Sequence, residues 1–370
     1  MLNRGVFTDR SDRRRRAVAV SVPGILLFLF LTIGSAPRAE AQGTTALPPI
    51  SIGGGVRTNF THTSPDDLDD TDTFGLDDVR LYVNGAVTPK VKFMFNTAYT
   101  GADNDVNVLD AVARFELSDK VNFWAGRFLP PSDRANLYGP FYANHWNVYT
   151  DGVQDGYPFI YQGRDNGFAY WGQFGIAKLS GGIFDGSSAT HGGSTTVLTA
   201  GRAQFDFWDP EGGYYLNGTY YGAKNLLAVA IAGQVQGEDR SAWNADFLLE
   251  KKVGNGGAFT IEAEWADYSG LGGYSGDYAE DKGGYFLGAY LFPMMENGHK
   301  FQILGKFAVA NFSEGVTIIN PDYEQKTTEL NFNYLFKEFD GRVMVFYKDT
   351  RYDGVLTNVK QFGVGLQIQK

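Results

Sequence analysis

The sequence predicts an all-β protein: a transmembrane antiparallel β-barrel of sixteen strands, with short periplasmic turns and one long inward-folding loop. Three observations predict this fold. Apolar and polar residues alternate with a period of two along many segments of about ten residues, the length of a tilted strand that crosses a membrane. Short and long connections alternate between these segments, as they do at the two ends of a membrane barrel. A predicted export signal precedes the first segment.

Residues 1–41 are predicted to be a cleaved secretory signal peptide. The arginines Arg13–Arg16 flank an apolar run over 17–36, and an A-x-A cleavage site follows at Ala39–Ala41. An uncleaved membrane anchor is the alternative, because the apolar run has the length to span a bilayer. With cleavage, residues 42–370 form one transmembrane β-barrel domain.

The composition excludes several classes of protein. The 370 residues include 47 glycines, 15% aromatic residues and no cysteine, so disulfide scaffolds, thiol nucleophiles and cysteine metal sites are excluded. Only one apolar run is long enough for a membrane helix, which excludes a polytopic helical protein. The formal net charge is −10, and it becomes −14 without the seven arginines and three acidic residues of the signal peptide. We therefore expect no nucleic-acid partner and a weak preference for cations.

The alternation is clearest in 78–87, 300–309 and 361–369. In 361–369, large apolar residues occupy the even positions, and glutamine or glycine occupies the odd positions. One face of such a strand is apolar and the other is polar or small. The candidate strands lie at 50–62, 74–87, 91–101, 107–117, 121–128, 166–174, 176–184, 198–208, 225–236, 242–253, 257–268, 283–292, 300–312, 325–336, 341–350 and 357–370.

Two alternatives to this barrel remain open. Segment 209–224 is assigned to a periplasmic connection, but it could hold another strand and give a barrel of eighteen strands. A soluble β-sandwich has the same period-two pattern. Aromatic residues near strand ends favour the membrane barrel, because their rings are expected to form girdles at the headgroup level. They are Tyr82, Tyr99, Phe128, Trp208, Trp265, Tyr268, Tyr285, Phe292, Phe336 and Tyr347.

The polar strand faces are predicted to line the lumen. An Arg or Lys that faced lipid at the bilayer midplane would cost ~2–4 kcal/mol, so the charged residues of the strands are placed inward. Many of them could instead pair across strands and only shape the wall. The lumen-wall candidates are Arg80, Lys92, Arg114, Glu116, Lys178, Arg202, Asp206, Glu262, Glu264, Lys306 and Arg342.

The longest connection, 129–165, is the predicted constriction element. Pro130-Pro131 ends the strand before it, and Ser132 is expected to cap a short helix over Asp133–Leu137. Charged side chains that oppose each other across a pore select among solutes. The alternative is a lid that lies outside the pore. The constriction candidates are Arg127, Arg134, His145, Asp151, Asp155 and Arg164.

Several stretches resemble Gram-negative outer-membrane porins: AGRFLPPSDRANLYGPFYANHW (125–146), YTDGVQDGYP (149–158) and GRDNGFAYWGQF (163–174). The similarity is to the phosphate-selective porin O/P family and its short-chain amide porin relatives, and it covers most of residues 50–370. It implies a barrel of sixteen strands, commonly trimeric, that passes small hydrophilic solutes.

The predicted protein is a passive diffusion porin in the outer membrane of a Gram-negative bacterium. Its expected partners are small hydrophilic solutes and ions, outer-membrane lipid and lipopolysaccharide. The resemblance alone implies a homotrimer, and we expect no cofactor, no metal site and no catalytic residue. A structural or partner-binding barrel, such as an adhesin or a sheath, is the alternative. A barrel enzyme is a third hypothesis, for which Ser132, His145 and Asp151 would be the candidate triad.

Overall fold

A computed structural model describes residues 50–100, 105–153, 163–186, 196–254, 256–271, 278–315, 321–353 and 356–370. These residues form a closed antiparallel barrel in which every strand pairs with its sequence neighbours and β1 pairs with β16. The strands are β1 (Ser51–Pro65), β2 (Thr71–Ala86), β3 (Val91–Thr100), β4 (Asp105–Ser118), β5 (Val121–Phe128), β6 (Asp165–Phe174), β7 (Ala177–Phe184), β8 (Leu198–Asp206), β9 (Leu226–Gln236), β10 (Arg240–Val253), β11 (Gly257–Ser269), β12 (Tyr278–Leu291), β13 (Lys300–Gly315), β14 (Tyr323–Lys337), β15 (Gly341–Asp353) and β16 (Val359–Gln369). One helix, α1 (Arg134–Tyr142), lies between β5 and β6.

The structure confirms the prediction of sixteen strands. Segment 209–224 contains no strand, so the alternative of eighteen strands is wrong. Several strands extend further than predicted at one end of the barrel, most of all β12, which begins at Tyr278. Closure removes the free sheet edges, because the backbone amides of Gly54 and Lys370 each donate to the carbonyl of the other.

The large apolar side chains face outward, as the alternation predicts. In β16, Phe362 and Ile368 are about half exposed, whereas Gln367 and Gln369 are buried inside. In β9, Ile231 points outward between the buried alanines Ala230 and Ala232. This arrangement, apolar outside and polar or small inside, is the reverse of a water-soluble sandwich and matches the wall of a membrane barrel.

Part of the predicted aromatic girdle is wrong. Phe128, Tyr268 and Tyr285 are buried inside the barrel, and the Tyr82 hydroxyl is also buried. These residues occupy the inward positions of their strands, where they pack against inserted segments. Other predicted members are exposed on the outer surface, among them Trp208, Trp265, Phe292, Phe336 and Tyr347.

The two ends of the barrel differ. The end that carries Lys370, here the terminal end, has short turns such as 119–120, 175–176 and 338–340. The opposite end, here the loop end, carries most of the longer connections, although 66–70 and 237–239 are short because the flanking strands extend. The exception at the terminal end is the connection 207–225, here the inserted turn, which enters the barrel.

The predicted signal peptide, residues 1–41, lies outside the described residues. Among the residues that the structure describes, no helix has the length and apolar character needed to cross a membrane.

Candidate channel interior

The connection 129–164 is here called the long loop. Its described residues, 129–153 and 163–164, fold into the lumen, and almost all the side chains of 129–148 are buried. The helix α1 begins after Asp133, whose Oδ1 accepts a hydrogen bond from the Asn136 amide at 2.6 Å. The predicted cap, Ser132, is therefore wrong: its hydroxyl accepts instead from Asn136 Nδ2 at 2.9 Å. The helix also runs beyond its predicted end, with a break at Gly139, where φ is 63°.

Two glycines in the wall allow the long loop to lie flat against it. A Cβ on Gly55 of β1 would lie 2.6 Å from the Phe141 ring, and one on Gly365 of β16 would lie 2.6 Å from the Trp146 ring. The Arg57 guanidinium stacks on Trp146, with its Cζ 4.1 Å from the ring centroid, and donates to the Trp146 carbonyl at 2.8 Å. The absent side chains thus make room for two rings that anchor the loop.

Arg342 of β15 holds the end of α1. Its Nη1 donates to the Ala143 carbonyl at 2.7 Å and to the Tyr221 hydroxyl at 2.9 Å, and its Nη2 donates to the Phe141 carbonyl at 3.3 Å. A cation at a helix C-terminus satisfies carbonyls that have no partner within the helix. Because Tyr221 belongs to the inserted turn, one buried guanidinium joins the wall to both inserted segments.

The long loop then continues along the strands β13 and β14. Asp151 pairs with Lys306 at 2.5 Å, and the Lys306 ammonium also donates to His145 Nε2 at 3.3 Å. The Asn147 amide donates to Glu329 at 3.2 Å. The loop therefore covers the wall on this side of the barrel.

The inserted turn meets the long loop inside the lumen. The backbone amides of Leu216 and Gly218 donate to the carbonyls of Leu137 and Tyr142, at 3.2 and 2.9 Å. The Tyr214 hydroxyl donates to the Leu129 carbonyl at 2.8 Å. Two segments that enter from opposite ends of the barrel thus narrow the lumen together.

A buried ion pair joins these two segments. Arg134 of α1 donates to both carboxylate oxygens of Glu211, at 2.9 and 2.5 Å, and its Nε lies 3.3 Å from Asp246 of β10. Burial by itself would raise the pKa of Glu211, but the adjacent Arg134 charge and hydrogen bonds, with help from Lys178, lower that pKa to about 2. Glu211 is therefore a stable anion between the two segments.

Asp133 lies next to this pair in a different electrostatic environment. Burial raises its pKa to about 7, and the negative charge of Asp246 adds to the shift, whereas the Asn136 amide and Arg202 oppose it. Arg202 itself pairs with Asp246, with Nη2 donating at 2.9 Å. The cap of α1 is therefore a carboxyl group that titrates near neutral pH.

Three cavities lie between the inserted segments and the part of the wall formed by β1–β5 and β16. The upper cavity, about 450 Å³, lies towards the loop end between β1, β2, β16 and residues 146–150. The middle cavity, about 200 Å³, lies between β2, β3, β4 and α1. The lower cavity, about 500 Å³, lies at the terminal end beside β3, β4 and β5. The Asp78–Arg80 ion pair, 2.8 Å long, separates the upper and middle cavities. Tyr215 borders the middle and lower cavities.

The structure places all the lumen-wall candidates on the inner side of the barrel. Lys92, Arg114 and Glu116 line the lower cavity, and Arg80 lines the middle one. The others are buried against the inserted segments: Lys178, Arg202, Asp206, Glu262, Glu264, Lys306 and Arg342.

The constriction candidates divide into three groups. Arg134, His145, Asp151 and Arg164 lie inside the barrel, where Arg164 Nε is 3.4 Å from Asp110. Arg127 does not join them, because it lies on the opposite face of β5 from the buried Trp124 and Phe128, and its Nε donates to the Val108 carbonyl. Asp155 lies outside the described residues.

The residues proposed as a triad do not form one. The Ser132 hydroxyl is bonded to Asn136, whereas His145 and Asp151 both contact Lys306. An ammonium between the imidazole and the carboxylate prevents the carboxylate from orienting the histidine as a base.

Sequence reasoning missed the inserted turn. Its contacts through Glu211, Tyr214 and Tyr215 connect it to α1, to Leu129 at the start of the long loop and to β4. The available signal was its length, because other turns at the terminal end have only a few residues.

Gly55→Ala is expected to destabilise the barrel by about 1–3 kcal/mol, because the added Cβ would overlap the Phe141 ring and force the long loop away from β1. Urea unfolding in detergent, followed by tryptophan fluorescence, would measure the change. Gly181→Ala is the control, because its nearest neighbour, the Ala200 carbonyl oxygen, lies 3.7 Å away. Equal losses in the two variants would contradict the role of Gly55.

The described fold is that of the outer-membrane class of β-barrels: a closed antiparallel barrel of sixteen strands with an apolar exterior and a polar interior. Neither a protein-family model nor a curated protein matches the sequence. Among solved structures, the chain is similar to an anion-selective porin from Comamonas acidovorans, with a TM-score of 0.56 and 13% identity over 87% of this chain and 99% of that one. It is also similar to OmpTdeltaL8, a loop L8 deletion mutant of OmpT, an outer membrane protein of Vibrio cholerae, with a TM-score of 0.50 and 13% identity over 88% of this chain and 100% of that one. At this identity the similarity establishes the fold.

Proposed function

We propose that this protein is an outer-membrane porin, a water-filled channel for the passive diffusion of small hydrophilic solutes and ions. The observation that carries the proposal is the series of three cavities along one wall, from the loop end to the terminal end, each lined by charged as well as apolar side chains. Large apolar side chains cover the outside of the same wall, as a lipid environment requires.

The two inserted segments make this a narrow channel. Among the residues that the structure describes, five cationic and five acidic side chains line the three cavities, so their charges balance. The formal charge of −14 on residues 42–370 still favours cations near the channel mouths. The expected selectivity is therefore weak and cationic.

Planar-bilayer recording tests the proposal. We expect stepwise conductance increases when the purified barrel is added, and a small reversal potential of cation-selective sign under a potassium chloride gradient. A bilayer that stays closed would favour an adhesin or a sheath. A clear anion preference would contradict the predicted cation selectivity but would still support the proposal of a channel.

The oligomeric state, the location and the signal peptide are part of the same proposal. The resemblance to the phosphate-selective porin O/P family implies a homotrimer in the outer membrane of a Gram-negative bacterium, reached through a signal peptide cleaved before Gln42. Outer-membrane lipid and lipopolysaccharide would surround it. Chemical cross-linking of the detergent-purified protein should yield a trimer.

Transport rather than catalysis is proposed for the interior. The candidate triad is not assembled, because Lys306 lies between His145 and Asp151. Assays with lipid and peptide substrates are expected to show no hydrolysis, and turnover in either assay would favour the enzyme hypothesis.

A further inference from the structure

We propose that the middle cavity is a binding site for a small zwitterionic solute, an α-amino acid with an aliphatic side chain. The inference rests on the proposed channel function, because the cavity is the central one of the three along the proposed route. The site is built from the wall strands β2, β3 and β4 on one side and from the two inserted segments on the other.

The size of the cavity sets the size of the solute. A cavity of about 150 Å³ accommodates benzene. The middle cavity, at about 200 Å³, can hold a molecule with a few more heavy atoms. An aliphatic amino acid has this size, whereas a disaccharide does not.

Asp110 organises the polar side of the cavity. Its Oδ1 accepts from the Tyr215 hydroxyl at 2.8 Å and lies 3.4 Å from Arg164 Nε, and its Oδ2 accepts from Asn96 Nδ2 at 2.9 Å. One carboxylate on β4 thus fixes an amide from β3, a guanidinium from the long loop and a phenol from the inserted turn. The side chains around the cavity are therefore held in place before a solute enters.

Two buried polar atoms of the cavity wall have no hydrogen-bond partner among the described residues. They are Asn96 Oδ1 and the Tyr82 hydroxyl oxygen. Asn96 is more than nine-tenths buried, and its Nδ2 is already engaged by Asp110. A buried polar group without a partner costs free energy that a bound donor recovers. An ammonium group has three N–H donors and suits both oxygens.

The charges of the cavity favour a zwitterion over an ion of either sign. Two guanidinium groups, Arg80 and Arg164, border it, and each is paired with a carboxylate, Asp78 and Asp110. The positive charges of the guanidinium groups attract a carboxylate, and the oxygen atoms of Asn96 and Tyr82 supply the acceptors for an ammonium. A solute with both charges adds no net charge to this balanced site.

The remaining wall is apolar. Leu129, Leu137 and Leu216 line the cavity on the side of the inserted segments. Apolar contact at these three positions would remove an aliphatic side chain from water and so stabilise the complex. Leucine itself combines the required charges, size and apolar side chain.

Saturation-transfer difference NMR on the full barrel in detergent micelles tests the site. The probes are L-leucine, 4-methylpentanoate, which lacks the amine, and 3-methylbutylamine, which lacks the carboxylate. We expect L-leucine to bind most tightly. If either of the other two binds as tightly as leucine, the zwitterion proposal is overturned.

Tyr82→Phe is the diagnostic variant, because the hydroxyl that it removes makes no hydrogen bond in the described structure. We expect the Kd for leucine to rise about fivefold, as for the loss of one hydrogen bond. Tyr347→Phe on the outer face of β15 is the control and should bind as the wild type does. A Kd that is the same in Tyr82→Phe as in the wild type would overturn the site.

Binding and conduction are separate measurements. A barrel that conducts ions but gives no leucine signal overturns this inference and leaves the channel standing. A barrel that binds leucine with the expected response to Tyr82→Phe but does not conduct overturns the channel and supports the site.

Discussion

Glu211→Ala is expected to destabilise the barrel by roughly 3–5 kcal/mol, because it leaves the fully buried Arg134 guanidinium without its bidentate partner. The variant also breaks the only charged link between α1 and the inserted turn that the described residues contain. We therefore expect larger single-channel currents together with a lower urea midpoint. Both follow if the inserted turn moves away from the long loop.

Asp340→Ala is the matched control for this variant. It removes a carboxylate that pairs with Lys337 at 3.1 Å, but both side chains are largely exposed. Such a surface pair contributes about 0–1 kcal/mol. If Glu211→Ala and Asp340→Ala lose the same small amount of stability, the buried pair does not hold the inserted segments together.

Asp133→Asn is expected to reduce the pH dependence of stability. The pKa of Asp133 is raised from 3.8 to about 7, so between these values the folded protein holds a proton that the unfolded chain releases. The contribution of this group to the free energy of unfolding is therefore largest below about pH 4 and decreases as the pH rises to about 7.

Asparagine is a suitable replacement because it keeps the cap of α1 while removing the charge. The variant should resemble the wild type at pH 4 and be more stable at pH 8, as urea titrations at several pH values would show. Asp246, Glu264 and Arg202 surround Asp133 and remain unchanged. Asp67→Asn, in an exposed turn, is the control and should leave the pH profile unchanged. A pH profile that is as steep in Asp133→Asn as in the wild type would contradict the assignment.

The wall of the barrel was predictable because the alternation of apolar and polar residues that specifies it lies within each strand. Each strand shows its lipid face at every second residue, so 361–369 by itself indicates which side chains of β16 point outward. The same parity places Arg80, Arg202 and Lys306 inside. It also shows why Arg127 fails as a constriction residue, since it lies one position from the inward Phe128.

The sequence by itself determined the order of the strands and the two faces of the wall. It left open the choice between sixteen and eighteen strands and the choice between an inward loop and an outer lid, and the structure decided both. Only the tertiary structure decided how the lumen is filled. The ion pair of Arg134 with Glu211 joins residues 77 positions apart, and the hydrogen bond from Arg342 to Phe141 spans 201. Such contacts leave no periodic trace in the sequence, because they depend on shape and charge at places that the chain brings together only when the barrel closes.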